Sequence, residues 1–390
     1  MQIYLDNNST TPIDPVVAEA MYQCRLEGDL NPASQHRSGQ SAKRKLDEIR
    51  DEILNRLGAQ SVGMTPDQLI LTSGGTESNN LAIIGLAYEP DGSKPSQNRI
   101  ILSRIEHPSI VGAAVFLEQN GFQVDWIDVE KNGMISISHL EELLTEPCRL
   151  VSVMAANNET GVIQPVQQVS QLCQKVQCYF HTDAVQVVGK LPIDFCSIGC
   201  DVLTFTSHKF HGPRGIGGLI ARNHLQFFPL MFGGFQQRGF RPGTEDTALA
   251  MGCLEALRQA TDQLQDRQTK MQTLRDLLQS QIYSEVSNVN IIGAEAPRLP
   301  HTLNISFKDL DRQEILMAAD LNGIAISTGS ACASGSSDPS PVLVAMGLDK
   351  SIIEGAIRIS LSSMNTESEI ELAASRIINI INDLRQRKRS

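Results

Sequence analysis

Apolar and polar positions alternate along this chain in a repeating order. Short apolar runs of three to five residues are followed by helical-period stretches. Ile100-Ile101-Leu102, Val124-Asp125-Trp126-Ile127, Leu150-Val151-Ser152-Val153-Met154, Tyr179-Phe180-His181 and Val202-Leu203-Thr204-Phe205 read as strands. Helices are predicted between them, near 109–119, 138–144 and 165–176. Upstream, Ile3-Tyr4-Leu5 predicts a short strand. From Ser38, the spacing of Ala42, Leu46, Ile49, Ile53 and Leu57 predicts one helical face closed by Gly58. Leu69 to Thr72 then reads as a strand, Ser73-Gly74-Gly75-Thr76 as a turn and Glu77 to Leu86 as a helix. This alternation argues for a mostly parallel sheet with helices on both faces, whose ligands gather at the carboxyl ends of the strands.

Beyond about residue 222 the pattern changes to a loop and then a long helical segment to about 284. Leu303 to Phe307, Ile324 to Ile326 and Ile357 to Leu361 read as strands of a smaller domain. Thr366 with Glu369 forms a capping box for a last helix with an apolar face of Ile370, Ala374, Ile377, Ile381 and Leu384. The expected division is a large domain over 15–258, with 1–14 and 259–390 forming a small α+β domain.

Composition narrows the class. The 390 residues are 41% apolar, enough for more than one core. The net charge of −11 argues against an extended nucleic-acid footprint. No run approaches the ~18 apolar residues of a membrane span, so the expected location is the cytoplasm. Eight cysteines are scattered without a Cys-x-x-Cys pair, which points to neither a disulfide framework nor a structural zinc site, and no metal is expected.

The strongest chemical signal is Lys209, placed directly after the run 202–205 and followed by four glycines within residues 212–218. A strand end fixes its backbone, and the glycines let the next segment pass close to whatever fills the space. An amine held there suits Schiff-base chemistry, whose commonest partner is the aldehyde of pyridoxal phosphate; the plain alternative is a surface lysine. The turn at Gly74-Gly75 leads into a helix N-terminus and could take a phosphate, or could be an ordinary strand–helix turn. Asp183 follows the preceding strand, where a carboxylate could keep a pyridine nitrogen protonated or merely cap a turn. His107, Asn158 and Gln186 sit at other strand ends. Cys332 lies in a run of small and polar residues, Ser327 to Pro341, that cannot pack a core; it is a candidate nucleophile or an incidental loop thiol. Arg358, inside an apolar strand, either binds a carboxylate or completes an internal ion pair.

In register, several motifs resemble those of the cysteine desulfurases, the NifS/IscS branch of the class-V aminotransferases with fold type I. They include Thr72-Ser73-Gly74-Gly75-Thr76-Glu77-Ser78, Glu106-His107-Pro108, Asn157-Asn158-Glu159-Thr160-Gly161, His181-Thr182-Asp183-Ala184-Val185-Gln186, Ser207-His208-Lys209, Arg241-Pro242-Gly243-Thr244-Glu245 and Gly329-Ser330-Ala331-Cys332. The resemblance implies a pyridoxal 5'-phosphate enzyme that takes sulfur from L-cysteine and releases L-alanine. Lys209 would attach the cofactor and move protons at the substrate Cα. Asp183 would pair with the ring nitrogen, Gln186 with the ring oxygen, and His107 would stack on the ring and assist proton transfer. Gly75, Thr76, Thr206 and His208 would hold the phosphate, with Thr244 supplied by the other subunit of a homodimer. Asn158 and Arg358 would orient the substrate. Cys332 would accept the sulfur as a persulfide and pass it to an iron–sulfur scaffold or another acceptor protein. The chain departs from the usual pattern at Thr206-Ser207 and Gly75, without changing this chemistry. A cysteine or cystine lyase, a selenocysteine lyase or an aminotransferase on the same scaffold is the main alternative, and Cys332 argues against the lyase and the aminotransferase. A scaffold that only binds iron–sulfur assembly proteins would need none of Lys209, Asp183 and Cys332.

Overall fold

The computed structural model describes residues 2–28, 30–329 and 338–389. In chain order the first elements are β1 (Ile3–Tyr4), α1 (Pro15–Leu26), α2 (Arg37–Arg56), β2 (Gln68–Thr72), α3 (Gly75–Ala87), β3 (Arg99–Ser103), α4 (Pro108–Gln119), β4 (Gln123–Ile127), α5 (Ile137–Leu143) and β5 (Leu150–Ser152). They are followed by α6 (Val166–Val176), β6 (Tyr179–Asp183), α7 (Phe195–Ile198), β7 (Val202–Thr206), β8 (Gly217–Ala221), α8 (Thr247–Asp262) and α9 (Leu264–Glu285). The last are β9 (Val289–Ile291), β10 (Thr302–Phe307), α10 (Arg312–Leu321), β11 (Ile324–Ala325), α11 (Pro341–Ala345), α12 (Lys350–Glu354), β12 (Ala356–Ser360) and α13 (Glu367–Arg389).

Seven strands form the central sheet in the order β2-β8-β7-β6-β5-β3-β4. All neighbours are parallel except β8, which runs antiparallel to both β2 and β7. The strands carry apolar side chains on both faces because both faces are covered. Ile100, Leu102, Leu150 and Val202 pack with α3 and α4, while the intervening Ile101, Val151 and Leu203 pack with α2, α6 and α8.

A second core joins Ile3 and Leu5 to Leu278 and Ile282 of α9, to β10 and β12, and to α13. Its three-stranded sheet has the order β12-β10-β9 and is antiparallel throughout. The capping box forms: the Thr366 N–H donates to Glu369 Oε2 at 3.0 Å, and the Glu369 N–H to Thr366 Oγ1 at 3.3 Å. Ile370, Ala374, Ile377 and Ile381 are buried as the spacing predicts.

Three details differ from the sequence expectation. The glycine-rich tract after Lys209 contains a strand, β8. The long helical segment breaks at Gln263 into α8 and α9. The 324–326 run pairs with β1 as a separate two-stranded parallel sheet instead of extending the small sheet. Among the described residues no helix is long and apolar enough to cross a membrane.

Candidate active site

A cavity of about 290 Å³ opens at the carboxyl ends of β5, β6 and β7, where a parallel sheet collects its ligands. It draws residues from eight separate stretches of chain. Of the residues predicted from sequence it gathers Gly75, Thr76, His107, Asn158, Asp183, Gln186, Thr206, His208, Lys209 and Arg358. Thr244 is exposed and does not line it, and Cys332 lies outside the described residues. A larger, more open groove of about 1,090 Å³ runs elsewhere, along α2 and the 235–238 segment.

Lys209 ends a single 3₁₀ turn, Ser207–Lys209, directly after β7. Its Nζ donates to the carbonyls of Asn8 at 2.5 Å and Ser9 at 2.6 Å, so the amine is held at the cavity wall by the N-terminal loop. The neighbouring strand needs its glycines for close approach. A Cβ on Gly217 would stand 2.7 Å from the Gly74 carbonyl carbon, and one on Gly218 2.4 Å from the Phe205 ring. Strand β8 thus brings the α3 N-terminus and the lysine turn together. The N–H groups of the first turn of α3, at Gly75 and Thr76, have no partner within the helix and carry its positive dipole end.

Asp183 is the last residue of β6 and 5% exposed. Both its oxygens are committed: Oδ1 accepts from the Val185 N–H at 2.9 Å and Oδ2 from Asn79 Nδ2 at 2.7 Å. Asn79 Nδ2 also reaches Ser109 Oγ at 3.0 Å, and Ser109 Oγ lies 2.7 Å from His107 Nδ1. His107 is the N-cap of α4, with Pro108 in the first turn, and its Nδ1 accepts from the Ser109 N–H at 3.2 Å. That acceptor role leaves the ring proton on Nε2. Burial, opposed by Asp183 and assisted by Lys209, holds the His107 pKa below its ordinary value, so the imidazole is uncharged at neutral pH. Burial and the charges of Lys209, Lys190 and Arg214 bring His208 down to about 4.

Arg358, on β12, is 2% exposed. Its Nη2 pairs with Asp6 Oδ1 at 2.6 Å, and its Nη1 donates to the carbonyls of Asn158 at 3.1 Å and Gly329 at 3.4 Å. The internal ion pair therefore exists, and the guanidinium still borders the cavity. Asn157 caps the turn that presents Asn158, its Oδ1 accepting from the N–H groups of Glu159 and Thr160, each at 2.9 Å.

Residues 3–372 match the family described as aminotransferase class-V. The chain belongs to that family. It is 37% identical over 387 residues to a cysteine desulfurase IscS of Clostridium botulinum, spanning 99% of this chain and 96% of the relative. It is 36% identical to the cysteine desulfurase NifS of Azotobacter vinelandii, covering 98% and 93%. The solved structure of a NifS-like protein from Rickettsia africae superposes with a TM-score of 0.88 at 33% identity, covering 98% of this chain and all of that one. This class-V aminotransferase also carries site residues that the sequence reading did not single out. Asn79 lies one helical turn beyond Thr76, and that spacing from the predicted anion site was its only signal. The Asn8 carbonyl serves both Lys209 and Gln186 Nε2, the latter at 3.1 Å, while the Asn8 side chain is fixed by His301 Nε2 at 2.7 Å. The polar loop from Asp6 to Pro12, too rich in hydrogen-bonding side chains to be mere linker, was the signal for Asn8, whereas nothing local marks His301.

Proposed function

We propose that the chain is a cysteine desulfurase that binds pyridoxal 5'-phosphate in this cavity and converts L-cysteine to L-alanine while Cys332 takes the sulfur as a persulfide. What carries the reading is the convergence of a strand-end lysine, a buried and doubly hydrogen-bonded aspartate, a helix N-terminus and a buried arginine around one cavity.

The residues present fit the cofactor. The buried Asp183 carboxylate suits a pyridinium N–H, and the helix N-terminus at Gly75 suits a phosphate. A Cβ on Gly75 would stand 3.1 Å from Val185 Cγ2, so that wall is already at contact distance. When bound, the cofactor supplies an aldehyde and an electron-accepting ring.

Lys209 holds the aldehyde and carries protons at the substrate Cα. Asp183 keeps the ring nitrogen protonated, and Gln186 faces the ring oxygen. His107 offers an uncharged ring and an Nε2–H. Thr206 and His208 join Gly75 and Thr76 around the phosphate, with Thr244 reaching it from the second subunit of a homodimer. Asn158 and Arg358 orient the substrate, with Arg358 gripping its carboxylate. In the overall change the Cβ–S bond of cysteine breaks, an S–S bond forms on the Cys332 thiolate, and alanine leaves. The sulfur then passes to an iron–sulfur scaffold or another acceptor protein in the cytoplasm. The large domain over 15–258 carries the cofactor, and the small domain of 1–14 and 259–390 carries Cys332.

The test is to supply L-cysteine to the purified protein under reductant and measure alanine and sulfide, beside Cys332→Ala. Equal alanine and sulfide from the wild type, and neither from a variant that still takes up the cofactor, is the expected result. Pyruvate and ammonia as products, or undiminished turnover by the variant, would instead assign a lyase.

A further inference from the structure

Behind the cavity wall lies a lysine that the reaction above does not use. Lys190 is 5% exposed and closes the turn that follows β6. Gly189 makes the turn possible. It adopts φ +77°, and a Cβ there would stand 2.6 Å from Phe210 Cβ, so the chain just before Lys190 passes close against the segment that carries Lys209. The Lys190 Nζ donates to Gln186 Oε1 at 3.0 Å. On the other side of the same carboxamide, Gln186 Nε2 donates to the Asn8 carbonyl. A carbonyl can only accept, so the amide nitrogen must face Asn8 and the oxygen must face Lys190. The two contacts fix one orientation of the carboxamide. Its acceptor is taken by Lys190, which does not line the cavity, whereas Gln186 itself does.

We infer that Lys190 is a positioning residue that locks Gln186 with its amide nitrogen toward the cavity, so that this wall offers an N–H donor to an anionic ring oxygen. The inference rests on the proposed pyridoxal phosphate site and names the source of its preference for a phenolate. Without Lys190 the carboxamide can turn over and present its oxygen, which repels that anion. Lys190 is faced by Lys209 and Arg358, and by His208, His211 and His301, all three of which burial holds below their ordinary histidine values. Burial and the two cations also lower the Lys190 pKa. In either charge state the Lys190 amine keeps an N–H to donate to Gln186 Oε1.

The test uses the full-length protein reconstituted with pyridoxal 5'-phosphate, and follows the visible absorption of the bound cofactor against pH. A donor on the phenolic oxygen weakens its hold on the shared proton, so losing the donor moves the midpoint of the spectral change upward. Lys190→Met and Gln186→Ala are each expected to raise it by about one pH unit, the scale of a hydrogen bond to a charged group. Lys190→Arg should restore it. The double variant should shift no further than Gln186→Ala alone, since Lys190 acts only through that side chain. Two outcomes overturn the inference: a full further shift from Lys190→Met in the Gln186→Ala background, or a Gln186→Ala midpoint equal to the wild type. The second result needs no folded Lys190 variant. A wild type that takes up no cofactor would defeat the proposed function instead.

Discussion

Glu106→Gln tests the electrostatics beneath the site. Glu106 is 5% exposed, and burial pushes its carboxyl up to about 8, assisted by the Asp183 charge and opposed by the Ser103 and Met154 hydrogen bonds. Both of those bonds go to one oxygen: Ser103 Oγ donates to Oε1 at 2.5 Å and the Met154 N–H at 2.8 Å, while Oε2 has no partner among the described residues. At neutral pH the side chain is therefore a protonated acid in the fold and an ionised one in the unfolded chain. The proton that the fold retains has a cost that grows with pH. Below the ordinary value of 4.5 both states are protonated and the cost is absent. Between there and about 8 each pH unit removes about 1.4 kcal/mol, so the fold loses as much as ~4 kcal/mol across the window.

Glutamine removes that dependence. Its oxygen can take the place of Oε1, and its NH₂ replaces an O–H that was equally unpartnered, so little else changes. The expected result is near-equal apparent melting temperatures at pH 5, with the variant gaining steadily to pH 8, where it leads by roughly 5 °C or more. Thermal melts of both proteins across pH 5–8 decide the matter. A difference that stays flat, or that turns against the variant as pH rises, would mean the carboxylate is ionised and stabilised in the fold, and would refute the reasoning.

Lys209→Ala should leave the fold intact but abolish covalent cofactor attachment, read as loss of a borohydride-reducible adduct by mass spectrometry. Asn79→Ala removes the donor to Asp183 Oδ2 and its link to Ser109, and should lower turnover on cysteine by roughly tenfold or more, the scale of a hydrogen bond to a charged group, with small change in melting temperature. Gly189→Ala forces a side chain into a left-handed backbone and onto Phe210; a loss of roughly 2 kcal/mol or more is expected, seen as a lower melting temperature and lower cofactor occupancy.

The sequence made the sheet readable because a buried parallel strand is a compact apolar run, and 100–102, 150–152 and 202–205 fall inside observed strands. It concealed β8 for a physical reason. Gly217 and Gly218 are in a strand not because glycine favours extended backbone but because Gly74 and the Phe205 ring leave no room for a Cβ, a constraint visible only after folding. The break at Gln263 was hidden because no glycine or proline marks it. The site followed the same division. Lys209, Asp183 and His107 each adjoin a strand end or helix start and so carry a local signal. Asn79 and Asn8 act through partners 104 and 201 residues away, Asp183 and Lys209, and those contacts depend on how separate segments pack; Lys190 reaches Gln186 only four residues away, but its burial behind the cavity appears only in the fold.

Arg358 shows why neither reading of a buried charge had to exclude the other. An unpaired guanidinium at 2% exposure would be costly, and Asp6 offsets that cost through one terminal nitrogen. The remaining charge logic is one-sided. Lys209 and Arg358 line the cavity against the Asp183 carboxylate, with Asp6 already paired to Arg358, while burial keeps His107 and His208 uncharged. A chain with net charge −11 thus keeps a cation-rich pocket at the ends of its strands. Such a pocket draws an anion out of water only if the anion meets each cation with an oxygen, as a phosphate at the α3 N-terminus, a phenolate beside Gln186 and a carboxylate at Arg358 together would.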